Sequence, residues 1–140
     1  MDLIKLHPPL VHFAIAFPLM TLIMDLYYRF KKNSPNGLHA LLTYLSVISV
    51  LMATVSGILA HEPIEDKLAS VPVFPFHQSL GLFLALWFLA IGAVRFLMDR
   101  GPGSLRNIYT VLLVLGVLLL FVQGRWGGII VYDYLLKKGL

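Results

Sequence analysis

Leu6-His7-Pro8-Pro9-Leu10-Val11-His12-Phe13 opens the first long apolar run of the chain, which continues to Tyr28. Two histidines and two prolines stand where the polypeptide passes from water into an apolar phase. An imidazole at that depth is costly to desolvate unless a partner or ligand engages it, which marks the stretch as a candidate functional site. The run ends in Asp25, Tyr27, Tyr28, Arg29, Lys31 and Lys32. It lacks the basic n-region and small-residue cleavage site of a secretory signal, and therefore reads as a retained transmembrane helix.

The rest of the 140 residues fits that reading. Hydrophobic residues make up 59% and charged residues 13%, about half the charged share of a soluble domain, and mean hydropathy is +0.84. The length suits one domain, residues 1–140. There is no cysteine, which removes disulfides, thiolate metal ligands, c-type haem attachment and iron–sulfur ligation. A formal charge of +4 on such a chain points to membrane orientation and lipid contact rather than nucleic acid.

A helix needs about 20 apolar residues to cross a bilayer. Residues 9–28, 38–60, 77–98 and 108–126 meet that need, the last only if Arg125-Trp126 lies in the interface. Residues 30–37 and 99–106 are short turns rich in Pro, Gly, Asn and Ser. The middle connection, 61–76, is longer and carries Glu62, Glu65 and Asp66. The expected fold is all-α: an integral membrane antiparallel four-helix bundle with short loops. Both termini then share one end, side A, with the 61–76 loop. Side B carries Arg29, Lys31, Lys32, Arg95, Arg100 and Arg106 against Asp25 and Asp99, with i,i+4 pairs Asp25/Arg29 and Arg95/Asp99 as interfacial anchors. Side A carries Lys5, Lys67, Arg125, Lys137 and Lys138 against five acids, so the positive-inside rule makes side B cytoplasmic. The termini are expected on the extracytoplasmic side of a prokaryotic inner membrane. Residues 129–140 form a tail that lies on the side-A surface or docks on a partner.

That topology brings together residues far apart in sequence. His7, His12, His61 and His77 all come to side A, within about two helical turns of depth. His39 alone falls on side B and reads as an ordinary interfacial residue. Ser49, Ala53, Gly57 and His61 repeat every four residues, as do His77, Gly81 and Ala85. Small residues there admit a close neighbour or a flat ligand. Pro8-Pro9 suits a first helical turn, leaving His7 outside the helix and His12 one turn inside. Pro18 is expected to kink the same span. His7 and His12 would diverge by about 140° on one helix, which disfavours their sharing an ion. Gln123 is the strongly polar residue deep in the last span.

His7-Pro8-Pro9-Leu10-Val11-His12-Phe13-Ala14-Ile15-Ala16 resembles the opening H-P-x-x-V-H-F-P-I-A of a family of small prokaryotic membrane proteins, the domain of unknown function 2231 family. Gly57, His77 and Gly127-Gly128-Ile129-Ile130-Val131-Tyr132 extend the resemblance over nearly the whole chain. Ala14 departs from the family's proline, Asp133-Tyr134 from its glycine- and valine-rich tail, and His61 is not a histidine position of the pattern. The resemblance implies a four-helix membrane protein. Some members are joined to c-type cytochrome domains, which points by association to redox chemistry.

Three functions follow. The first is a b-type haem protein with iron held by His12 and His77, and with His61 or His7 as a partner that supports those ligands or as an alternative ligand. Gly57, Gly81, Phe13 and Phe76 would wall the haem and Arg125 meet its propionates. Bis-imidazole ligation implies an electron carrier or respiratory-complex subunit rather than a stand-alone enzyme, working with a quinone or a cytochrome. The second is a zinc, copper or iron site of His7, His12, His61, Glu62 and His77, with Glu62 as base. The third is a cofactor-free structural or assembly subunit, able to form a homo-oligomer. No phosphate loop, serine or cysteine nucleophile set or nucleic-acid motif is present, and transporter-like broken helices are not evident.

Overall fold

Backbone polar groups in lipid must be satisfied within the segment, which selects helices for long apolar runs. The computed structural model describes residues 3–137, and all four expected spans are helical. They are α1 (Leu3–Phe30), α2 (Gly37–His61), α4 (Phe74–Met98) and α5 (Ser104–Ile129), with a short α3 (Glu65–Leu68) in the side-A connection. Each of the four long helices is long and apolar enough to cross a membrane. Asp2 and Lys138, part of the charge balance above, and the end of the tail lie outside the described residues.

α1 packs on α2, α2 on α4, α4 on α5, and α5 returns to α1. α1 and α4 therefore stand diagonally across the bundle. The midplane core is built from Val50, Leu84, Phe88, Ile91, Leu113 and Val117, all buried, while Met20, Ile23, Val55, Leu86, Val111 and Leu118 face outward. That distribution suits lipid: the outer face is apolar, and polar side chains gather inside.

Local chemistry sets the ends. The Asn36 side chain accepts from the His39 amide at 3.1 Å and caps α2. At the end of α1 the Asn33 amide reaches Tyr28 O (2.8 Å) and the Lys32 amide reaches Arg29 O (3.1 Å), a Schellman arrangement. Its left-handed position is Lys32, with φ 56°, where glycine would be unstrained. Lys32→Gly is expected to stabilise the protein by about 1 kcal/mol, read as a higher unfolding midpoint.

Three expectations change. α1 begins at Leu3 and runs through Pro8, Pro9 and Pro18, so His7 is inside the helix rather than before it. The missing N–H groups of Pro8 and Pro9 release only the carbonyls of residues 4 and 5, at the membrane edge where release is tolerated. The last span is not short, because α5 continues as a π-helical segment, Ile130–Leu136. That segment does not lie free on the surface. Ile130 is buried against Leu68, Val71 and Phe74, with Tyr134 and Leu135 packed around them. The tail and the 61–73 connection thus form an apolar roof over the side-A end.

Candidate functional site

Beneath that roof lies a cavity of about 340 Å³, within the range of small-molecule pockets. His7, His12, His61 and His77 all line it, together with Gly57, Gly81, Gln123, Gly124 and Gly127. The His61 ring stands between the other two inner rings, 5.8 Å from His7 and 5.9 Å from His77 between centroids. Phe74 meets His61 edge-on at 5.2 Å. His77 is 9% exposed, whereas His12 is exposed at the cavity edge. α1, α2 and α4 therefore each deliver an imidazole to one place.

Two of the rings have a defined tautomer. His12 Nδ1 lies 2.7 Å from Pro8 O, and a carbonyl only accepts, so Nδ1 carries the proton and Nε2 a lone pair. His7 Nδ1 lies 2.9 Å from Ser56 Oγ, whose own proton goes to Ala53 O at 3.0 Å. Nδ1 of His7 is thus also the donor, and its Nε2 is also unprotonated. Metal-ligating histidines adopt this arrangement, with one nitrogen donating to a fixed acceptor and the other left basic.

Two polar atoms in the cavity wall have no partner among the described residues. His77 Nδ1 and Gln123 Oε1 are buried without a hydrogen bond, although Gln123 Nε2 donates to His77 O at 2.9 Å. A buried polar group left unpaired costs about 1–3 kcal/mol, so both atoms favour a bound group that engages them.

Glycines make the room. A Cβ on Gly57 would come within 3.0 Å of His7 Cε1, and one on Gly127 within 3.2 Å of His77 Cε1. Gly81 instead accommodates Gln123. Gly57→Leu would force the His7 ring from its place and is expected to lower stability by about 1–3 kcal/mol, seen as an earlier unfolding transition.

Other expected site residues stand outside the wall. Arg125 and Glu62 are exposed. Phe13 and Phe76, expected as walls, are 54% and 64% exposed, and Phe76 packs on Trp126. The apolar walls are instead Val50, Leu84 and Leu120. Among the described residues no three His, Asp or Glu side chains are grouped to hold one metal ion.

Side B corrects a larger misreading. His39 is not interfacial; it is fully buried, as are Asp25 and, at 1% exposure, Arg95. Arg95 Nε donates to His39 Nδ1 at 3.1 Å, so His39 Nε2 carries the proton and donates to Asp25 Oδ1 at 3.1 Å. Thr110 Oγ1 donates to Asp25 Oδ2, where Arg29 Nε also points at 3.4 Å. Arg95 Nη1 reaches Asp99 at 3.0 Å and Nη2 reaches Asn36 O at 3.1 Å. Thr43 Oγ1 donates to His39 O, so the Tyr109 hydroxyl donates to Thr43 at 2.7 Å. The i,i+4 pairs are present as expected, but they belong to a buried network that ties all four long helices together.

The fold and its two polar centres define a four-helix membrane protein with an imidazole-lined cavity at one end and a locked ionic network at the other. Residues 3–138 match a family of predicted membrane proteins, DUF2231, and the chain belongs to it. No curated protein matches the chain, and no solved structure does.

Proposed function

We propose that the side-A cavity binds b-type haem and that the protein is a membrane-embedded electron carrier or a subunit of a respiratory complex. The observation that carries this is that His12 on α1 and His77 on α4 line one cavity at the side-A end. His12 donates from Nδ1 to Pro8 O, which in the neutral ring leaves Nε2 free, and His77 is a buried imidazole whose Nδ1 has no partner among the described residues.

The surrounding residues fit such a group. Glycines at 57, 81 and 127 let His7, Gln123 and His77 pack close around the cavity, and Val50, Leu84 and Leu120 give it apolar walls. Leu68, Val71, Phe74 and Ile130 pack as an apolar roof over this end. Arg125, exposed on the same end of α5, is the cation nearest in sequence to the wall glycines 124 and 127 and would meet the propionates. His7 and His61, packed against one another beside His77, would tune and position the ligands. Held by His12 and His77, haem would supply one-electron transfer rather than oxygen chemistry. A quinone or a cytochrome is then the redox partner, met on the extracytoplasmic side of a prokaryotic membrane.

Titrating haem into the purified full-length chain in mild detergent tests this reading. Soret absorbance is expected to break at one equivalent, both in the wild type and in Glu62→Ala. Linear, non-saturating absorbance would remove haem from the account. Zinc, copper or non-haem iron near one per chain, lost in both His61→Ala and Glu62→Ala, would replace it with the metal reading.

A further inference from the structure

We infer that Arg106, at the side-B end of α5, is the core of a phosphate-binding site that takes the headgroup of an anionic lipid. Its Nε and Nη2 atoms are buried and have no hydrogen-bond partner among the described residues. Arg106 as a whole is only partly buried, but a guanidinium cannot shed its charge, and leaving two of its nitrogens unpaired inside the protein is unfavourable. Among the described residues, neither acid at this end is bonded to it. Asp25 already accepts from His39, Thr110 and Arg29, and Asp99 is engaged by Arg95. The backbone carbonyl of Arg106 is likewise taken, by Arg29 Nη2.

With neither acid bonded to Arg106, the geometry points to an acceptor from outside the polypeptide. Arg29 is held alongside by its bonds to Thr110, Asn107 and the Arg106 carbonyl, which fixes a second positive charge beside the site. Two neighbouring nitrogens of one guanidinium suit two oxygens of a phosphate bidentately. At the depth where a transmembrane helix meets the interface, the abundant phosphates are those of lipid headgroups, and an excess of Lys and Arg favours anionic ones. Free phosphate offers the same chemistry, so the experiment separates the two sources.

Delipidated full-length protein is unfolded thermally in neutral detergent alone, with phosphatidylglycerol, with phosphatidylcholine, or with inorganic phosphate at matched ionic strength. Arg106→Gln, Arg106→Lys and the exposed pair Lys31→Gln/Lys32→Gln are compared with wild type. Without anionic lipid, Arg106→Gln is expected to be at least as stable as wild type, because an unpaired, partly buried charge has been removed. With phosphatidylglycerol the order reverses: wild type rises, Arg106→Gln does not, and the lysine pair still responds. Arg106→Lys keeps the charge without the planar fork and responds only in part. Native mass spectrometry is expected to show one phosphatidylglycerol retained by wild type, with at least about tenfold weaker retention in Arg106→Gln. Stabilisation by inorganic phosphate with the same dependence on Arg106 would keep the site and assign it to free phosphate. Equal responses to phosphatidylglycerol and phosphatidylcholine, or an Arg106→Gln response equal to that of wild type, would overturn the inference.

Discussion

Asp25→Ala is expected to destabilise the bundle by about 3–5 kcal/mol, the cost of breaking a buried ion cluster by removing one partner. The carboxylate is fully buried and accepts from three helices: Arg29 on its own α1, His39 on α2 and Thr110 on α5. Its loss leaves the His39 Nε2–H without an acceptor while Arg95 remains bonded at Nδ1. Arg29 also loses its counter-charge. Asp25→Asn keeps an oxygen for His39 and is expected to cost less, about 1.5–3 kcal/mol. A double-mutant cycle on Asp25 and His39, measured by reversible unfolding in mixed detergent, should return a coupling of about 0.5–3 kcal/mol. A loss below about 1 kcal/mol for Asp25→Ala, within the range of an exposed pair, would show that the network is not a principal tie between the helices.

The second large effect concerns the cavity. His12→Ala and His77→Ala are each expected to weaken haem retention by more than about 100-fold, since even outer-shell partners of metal ligands cost about 10–100-fold. His12→Gly should regain haem when free imidazole is supplied, because the edge position of His12 leaves access from solvent. His7→Ala removes a ring packed on His61 and bonded to Ser56 and is expected to shift the visible spectrum or the midpoint potential while haem stays bound. Retention of haem in both His12→Ala and His77→Ala would refute this pair as ligands.

Much of this arrangement was legible in the residues. Four apolar runs separated by two Pro/Gly-rich turns and one acidic connection leave little freedom in topology, and the same counting carries His7, His12, His61 and His77 to one end. The four-residue spacing of Gly57 to His61 and of His77 to Gly81 pointed to small residues at this end, but Gly57 lies against His7 and Gly81 against Gln123. Side chains resolved what counting left open: His7 turns inward to His61 while His12 stays at the edge. The side-B network was misread because Arg, Asp and His at span ends usually anchor in the interface. The convergence argument applied to side A would have found it. Asp25 and His39 flank one side-B turn, while Arg95, Asp99, Arg106 and Thr110 flank the other, so topology alone gathers opposite charges there. The roof was not legible, since helix pattern does not reveal that α5 continues past Ile129 to seat Ile130 on Leu68 and Val71.

The visible spectrum of full-length protein, produced with ample haem, purified in mild detergent and recorded before and after dithionite, tests the central claim most directly. A sharp α-band in the reduced state at near one haem per chain is the expected result, with both axial positions held by imidazole. A featureless spectrum that persists after haem reconstitution would contradict it and leave the imidazole cavity to a different ligand.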